Sequence, residues 1–413
     1  MKIRTKIRTR INAENLFFLL ALFCVSSYAF LEQTSVSVPL FSYVKFPLLG
    51  FGGLCMLGKV NLFLKNILKK KYFYVLSILL LFFALFFLSS FFNRDPYVGE
   101  SPLYDTLRLI LFLAELFLLM VWAVEAEHTE TALQFCFVYV FALALVTDLL
   151  FFSGLVVFRS GRHELYLVGT KFDVSYMHMN LLTLWYLRSN ARAHRLTKKK
   201  GSIALALFFV LAVSIRVNCM TGAIGCVVLF VFFMLLDTRI QRQFVRFTAP
   251  SFMVLFLLVS ILFPFFSERL VSIPFVRYLI EELLGRDSTI TGRLTIFGEF
   301  LEKTWGHLLW GFGYGNGYKV SEVIFHVANA QNALLHWILQ VGIIPTLTMC
   351  GLIVYIIRQL SRSPRRTEAM PLLVLVYVYV VLGTVEITFN MNFFLWVAIL
   401  FMYSAAKNPG IKA

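Results

Sequence analysis

Residues 267–332 read SERLVSIPFV RYLIEELLGR DSTITGRLTI FGEFLEKTWG HLLWGFGYGN GYKVSEVIFH VANAQN, the one long polar stretch in an otherwise apolar chain of 413 residues. It carries six basic residues (Arg269, Arg277, Arg286, Arg293, Lys303, Lys319), two of the seven histidines (His307, His326) and the densest glycine run, Gly311 to Gly317. Apolar runs flank it on both sides, so it is held against a membrane and is not an independent domain. Within it, a helix is expected from Pro274 over 274–284, because proline suits a first turn. A second is expected from about Thr289 to Trp305, capped by Asp287 or Ser288. Ile290, Leu294, Phe297 and Leu301 recur there at helical spacing, a face for packing onto the membrane part, and Arg293 lies off that face.

Working outward, 59% of the residues are hydrophobic and 15% charged, with 45 Phe. A soluble domain carries about a quarter charged residues, so the composition places the chain in the polytopic membrane class. The expected fold is all-α, with about 12 transmembrane helices at 15–31, 39–57, 73–92, 103–124, 133–157, 174–188, 202–217, 220–236, 247–266, 333–357, 370–386 and 391–406. The organisation is then 1–266 (helices 1–9), the large extracytoplasmic loop 267–332, and 333–413 (helices 10–12 and the tail). Span 6 is short, and spans 7 and 8 are parted only by Asn218 and Cys219, a pattern that borders cavities. Pro345 inside span 10 predicts a kink.

Charge placement orients the bundle. The net charge of +16 suggests nucleic acid only until its distribution is examined, because most of it flanks apolar spans. With the N-terminus in the cytoplasm, the inner connections hold 25 Lys plus Arg and the outer ones 11. This bias fits the positive-inside rule. Both termini are expected in the cytoplasm, and the basic start Met1–Arg10 is read as preceding an uncleaved first helix. The six cysteines fall in or beside apolar spans without a CxxC pair, which argues against disulfide or zinc chemistry.

Four pieces resemble the bacterial O-antigen polymerase and O-antigen ligase superfamily of polytopic glycosyltransferases. They are Gly169-Thr170-Lys171-Phe172-Asp173-Val174-Ser175-Tyr176-Met177-His178; Cys219-Met220-Thr221-Gly222-Ala223-Ile224-Gly225; Thr291-Gly292-Arg293-Leu294 followed by Trp305 and Gly311-Phe312-Gly313-Tyr314-Gly315; and Asn332-Ala333-Leu334-Leu335 leading to Gly342-Ile343-Ile344. Two positions depart from the pattern. The family arginine at the eighth-span start aligns with Met220, with Arg216 one turn earlier, and the family histidine aligns with Gln331, with His326 five residues upstream.

The resemblance implies transfer of a saccharide from a polyprenyl diphosphate to a sugar hydroxyl at the outer face of a bacterial inner membrane. A flippase and a chain-length regulator would be partner proteins, and nucleic acid is not a partner. Such a reaction needs fixed cations at the leaving diphosphate, which guanidinium groups supply with bidentate geometry. Arg293, Arg216 and His326 are the candidate catalytic residues, His326 as base, with Glu322, Glu299 and Asp173 as alternatives. Arg159, Arg162, Lys171, His178, Gly311, Gly313, Gly315, Gln331 and Asn332 are candidates for substrate binding. His178 lies inside a span, where ionisable groups mark function or a structural hydrogen bond. Asp105 and Arg108, three apart, are expected to pair. The glycine run follows no strand and is not a nucleotide loop; it suits close backbone approach to a ligand or a flexible turn. No acidic cluster suggests a metal and no cofactor is expected, because the donor is already activated. Rival readings are a ligase for a finished glycan and a flippase for lipid-linked sugars.

Overall fold

The computed structural model describes residues 13–37, 40–94, 101–154, 158–160, 163–192, 196–236, 245–278, 293–327 and 329–407. It is nearly all helical. In chain order the helices are α1 (Ala13–Ser37), α2 (Leu40–Leu57), α3 (Val60–Ile67), α4 (Lys70–Phe92), α5 (Pro102–Glu125) and α6 (Thr129–Ser153). After a short hairpin come α7 (Lys171–Arg192), α8 (Leu196–Arg216), α9 (Met220–Leu236), α10 (Pro250–Val271) and α11 (Pro274–Tyr278). They are followed by α12 (Arg293–Thr304), α13 (Gly317–Phe325), α14 (Ala333–Val341), α15 (Ile343–Ser361), α16 (Met370–Leu382) and α17 (Met391–Ala405). Each apolar window of the sequence is helical over most of its length. Among the described residues, six helices are long and apolar enough to cross a membrane, seven if the pair formed by α2 and α3, bent by 73°, is one span. The chain has the build of a multi-pass membrane protein.

Several expectations need correction. The nearly all-helical fold includes one short hairpin that was not expected, β1 (Phe158–Ser160) antiparallel to β2 (His163–Leu165), with Arg159 opposite Glu164. Between the expected windows 39–57 and 73–92 lies a further helix, α3, whose Phe63 and Asn66 are buried. Span 10 is two helices and its break is at Gly342 (φ +83), not at Pro345. Pro345 sits in the first turn of α15, where its missing N–H has no helical acceptor to lose. On α12 the buried face is Ile296, Phe297 and Phe300, while Leu301 is exposed. Thr289 to Gly292 and Asp287 lie outside the described residues, as does the expected helix beyond Tyr278.

The centre of the bundle is α16 and α17. Every residue of α16 except Val381, and every residue of α17 except Asn392, is buried, as expected of helices apolar all round. α17 packs on α1, α5 and α15, and α16 packs on α7, α9 and α10. The two therefore join the halves of the molecule. At 1.5 Å per residue they are only about 20 Å long, short of a hydrocarbon core of about 30 Å. The non-helical segment 383–390 that joins them is tied down by side chains: the Thr388 hydroxyl donates to Tyr379 O (2.7 Å), and Asn390 caps α17 by accepting from Phe393 N.

One end of the bundle is tied by charge. Lys69 and Lys71 pair with Glu125 at 2.8 and 2.6 Å, and Arg365 pairs with Glu130 and Glu368 at 2.6 Å each. The other end carries the loop. There Phe312 N donates to Leu339 O (2.9 Å) and Ile343 N to Leu308 O (2.7 Å), so residues 308–312 are stitched to the α14–α15 junction. Ser89 and Asn93, at the end of α4, both donate to Trp310 O. Phe312, Val320 and Phe325 share a small second core with Ile296, Phe297 and Phe300 of α12 and with Leu335, Ile338 and Leu339 of α14.

The glycine run threads between these helices. Gly311 (φ +65) lies against the backbone of Gln340 and Val341, and a Cβ at Gly313 (φ +91) would stand 2.7 Å from Asn93 O and 3.0 Å from Pro102. Gly315 abuts Asp105, whose carboxylate pairs with Arg108 at 3.1 Å as the sequence spacing suggests. Protein fills the space that a ligand would use at these glycines. Gly311→Ala and Gly313→Ala are each expected to cost on the order of 1–3 kcal/mol from backbone conformation alone, more with the contacts. Gly306→Ala, with nothing within 4 Å, should be neutral. Thermal midpoints in detergent read the difference.

Candidate functional site

The site lies where the start of α7, the α8–α9 break and segment 383–390 meet at the loop end. Asp173 caps the start of α7: its Oδ2 accepts from both the Thr170 amide and the Thr170 hydroxyl, at 2.8 and 2.6 Å. This fixes Lys171, whose ammonium lies 5.5 Å from the Phe172 ring centre. Arg216 ends α8, is exposed, and rests its guanidinium 5.5 Å from the Phe151 ring centre. The chain then turns through Asn218 (φ +55) into α9. Gly222 permits that geometry, because a Cβ there would collide with Ser175 of α7.

Around these cations stand groups of opposite and neutral character. Glu386, 9% exposed, lies within electrostatic reach of Tyr176 and Cys219, and Lys171 also reaches Cys219. Arg216 reaches Tyr166. Burial first, then the Glu164 carboxylate, pushes the Tyr166 phenol up to about 12, so it stays protonated as a donor. Tyr176 is buried and its hydroxyl has no hydrogen-bond partner among the described residues. Across the site, Asp173 reaches Tyr318, the second residue of α13, and the Tyr318 ring packs edge-on against His336 with centroids 5.1 Å apart. His336 is 3% exposed, one turn into α14, and its Nδ1 is likewise unpartnered. The arrangement offers two cations for an anion, buried groups able to take a proton, and unpaired donors.

Of the residues singled out in the sequence, the structure brings together Lys171, Arg216 and Asp173. His326 is elsewhere: it caps the far end of α13 in the left-handed region (φ +57) and is exposed. Glu322 pairs with Lys319 at 2.8 Å, which holds its carboxyl below the usual range, and Glu299 pairs with Lys303 at 2.7 Å. Asn332 is a joint: its Oδ1 accepts from Leu335 N (2.9 Å) and its Nδ2 donates to Ser260 O (2.9 Å) and Thr384 O (3.1 Å). Gln331 beside it is half-buried with φ +52. His178 is fully buried on α7, 3.1 Å from Asp148 Oδ2. His307 stacks on Phe312 at 3.9 Å. Arg293 opens α12 and Arg159 lies in β1, with side chains outside the described residues, as is Arg162.

Glu386, His336, Tyr176 and Tyr318 escaped the sequence reading. The first two carried a usable signal, since each falls within an expected span, where ionisable side chains are functional candidates. The tyrosines carried none. Comparison with family models, curated proteins and solved structures finds no match to this chain.

Proposed function

We propose that the chain is a membrane glycosyltransferase that joins polyprenyl-diphosphate-linked oligosaccharide repeat units into a surface polysaccharide, without metal or cofactor. In this reading all twelve apolar windows cross the membrane, both termini are cytoplasmic, and the loop end faces outward. The observation that carries it is the gathering of Lys171 and Arg216 beside buried Glu386 under helix α13. The cations hold the lipid diphosphate as the anomeric C–O bond breaks and its electron pair leaves with phosphate. The acceptor hydroxyl attacks that carbon and gives its proton to Glu386 or His336, which replace His326 in the role of base. Arg293 remains a candidate second phosphate ligand on the family resemblance.

The test is direct. Full-length protein in a phospholipid nanodisc, given the lipid-linked repeat unit alone, should release lipid diphosphate and build a ladder of longer lipid-linked chains. A transporter would move substrate and form no new glycosidic bond. In cells, a deletion strain should carry single repeat units, whereas long unattached polymer would point to a ligase. Arg293→Ala should stop extension while leaving membrane insertion intact, and normal polymer lengths would remove Arg293 from the site.

A further inference from the structure

At the end of the bundle opposite the loop, α15 closes with two exposed arginines one turn apart, Arg358 and Arg362. A single 3₁₀ turn, Val245–Thr248, leads into α10 and packs against α15. Tyr377 anchors that turn by donating its hydroxyl to Phe247 O at 2.7 Å, and Arg246 beside it is exposed. Gln359 Nε2 donates to Lys71 O at 2.7 Å, which brings the start of α4, with exposed Lys70, to the same place. Four cations from three elements thus surround the end of α15. The carboxylates nearby are already engaged: Glu125 holds Lys69 and Lys71, and Glu130 and Glu368 hold Arg365. Among the described residues, none of the four cations has an ion-pair partner.

Below the arginines, α10 and α15 part around a cavity of about 310 Å³, whose walls include Val254 and Leu258 of α10 and Leu347, Gly351 and Val354 of α15. Val254, Leu258 and Leu347 are exposed, so the cleft opens sideways toward lipid. A Cβ at Gly351 would meet nothing within 4 Å. Val354 lies one turn from Arg358, and from there to Ile343, at the far end of the wall, α15 rises about 17 Å. That is close to half of a hydrocarbon core of about 30 Å. The hydroxyl of the wall, on Thr346, is taken up by Gly342 O at 2.7 Å. The cleft is an apolar slot one leaflet deep that begins under a cluster of cations.

We infer that this slot and the arginines above it bind one anionic phospholipid, its tail along the α10–α15 cleft and its phosphate against Arg246, Arg358 and Arg362. Three observations select that class. Unpaired guanidinium groups match phosphate oxygens. A zwitterionic headgroup would bring an ammonium to a place whose carboxylates are engaged, so a net negative headgroup is preferred. The slot starts one turn from Arg358, so tail and headgroup are served together, each at the depth a bilayer lipid gives it. The site does not depend on the glycosyltransferase reading, because none of its residues contributes to that chemistry.

The experiment uses full-length protein in phosphatidylcholine nanodiscs containing a trace of phosphatidylglycerol with a diazirine in one tail. The comparison probe is phosphatidylcholine with the same tail. Illumination should label peptides around Val254–Leu258 and Leu347–Val354, at least about fivefold more with the phosphatidylglycerol probe. Changing Arg246→Gln, Arg358→Gln and Arg362→Gln together should bring the two probes level. These side chains are exposed, so the thermal midpoint should stay where it is. Lys65→Gln, which removes an exposed cation of α3 outside the cleft wall, should keep the preference. Leu347→Trp, which fills the cleft from its lipid side, should suppress labelling by both probes. Equal labelling by the two probes in the wild-type protein would overturn the proposal, as would a preference that survives loss of the three arginines. Excess glycerol phosphate, a headgroup without a tail, should leave the labelling unchanged, and competition by it would overturn the lipid assignment.

Discussion

Arg216→Ala is expected to slow chain extension about 100- to 1,000-fold, the usual consequence of removing one preorganised donor from a developing charge. The protein itself should fold and insert normally. Arg216 is exposed at the end of α8 and its ring contact with Phe151 lies at the rim, where such contacts contribute about 0.5–1 kcal/mol. Arg216→Lys should fall between the two, because an ammonium keeps the charge but not the planar fork that grips two phosphate oxygens. Lys171→Ala should weaken donor binding in the same sense. The measurement is the rate of diphosphate release from a lipid-linked repeat unit, together with the ladder of product lengths. Unchanged rate and ladder in Arg216→Ala would remove the cation argument, since Arg216 and Lys171 are the cations that the geometry places at the site.

For stability, the largest effect is expected at Asn332. Its side chain joins three elements, accepting from Leu335 N and donating to Ser260 O and Thr384 O, and it is fully buried. Asn332→Ala leaves one amide and two carbonyls unpaired in apolar surroundings, each worth about 1–3 kcal/mol. Total folding stability is typically about 5–15 kcal/mol, so most of it is at risk. Asn332→Ala should therefore give little folded protein, and Asn332→Asp, which keeps the acceptor but turns a second acceptor oxygen toward Ser260 O and Thr384 O, should give no more. A residue that only contacted substrate would leave the midpoint unchanged and raise KM. That result would restore the substrate-binding role the motif suggested.

The helices were legible because hydropathy along the chain reports composition directly, and α9 coincides with its expected window at both ends (220–236). What hydropathy windows do not register is where a chain bends within apolar sequence. Val341-Gly342-Ile343-Ile344-Pro345 is one uninterrupted apolar run, and proline was the visible breaker; the left-handed φ at Gly342 arises because Leu308–Phe312 packs against that backbone. The site was half legible for the same reason. Lys171 and Arg216 stood out as charges at span ends. Glu386 and His336 sit inside expected spans among neutral neighbours, and their meaning comes from residues far away in sequence. The glycine run was noticed, but its partners on α4, α5 and α14 were not readable from spacing.

The stitching of residues 308–312 to 339–343 limits how the molecule can admit its substrates. A cover that opened like a door would need that strip of backbone to tear away from α14, losing buried hydrogen bonds each time it swung. On the glycosyltransferase reading proposed above, a lipid-linked donor would then enter along the flank of the bundle with its tail in the bilayer and its sugars in water, beneath a ceiling that stays where it is.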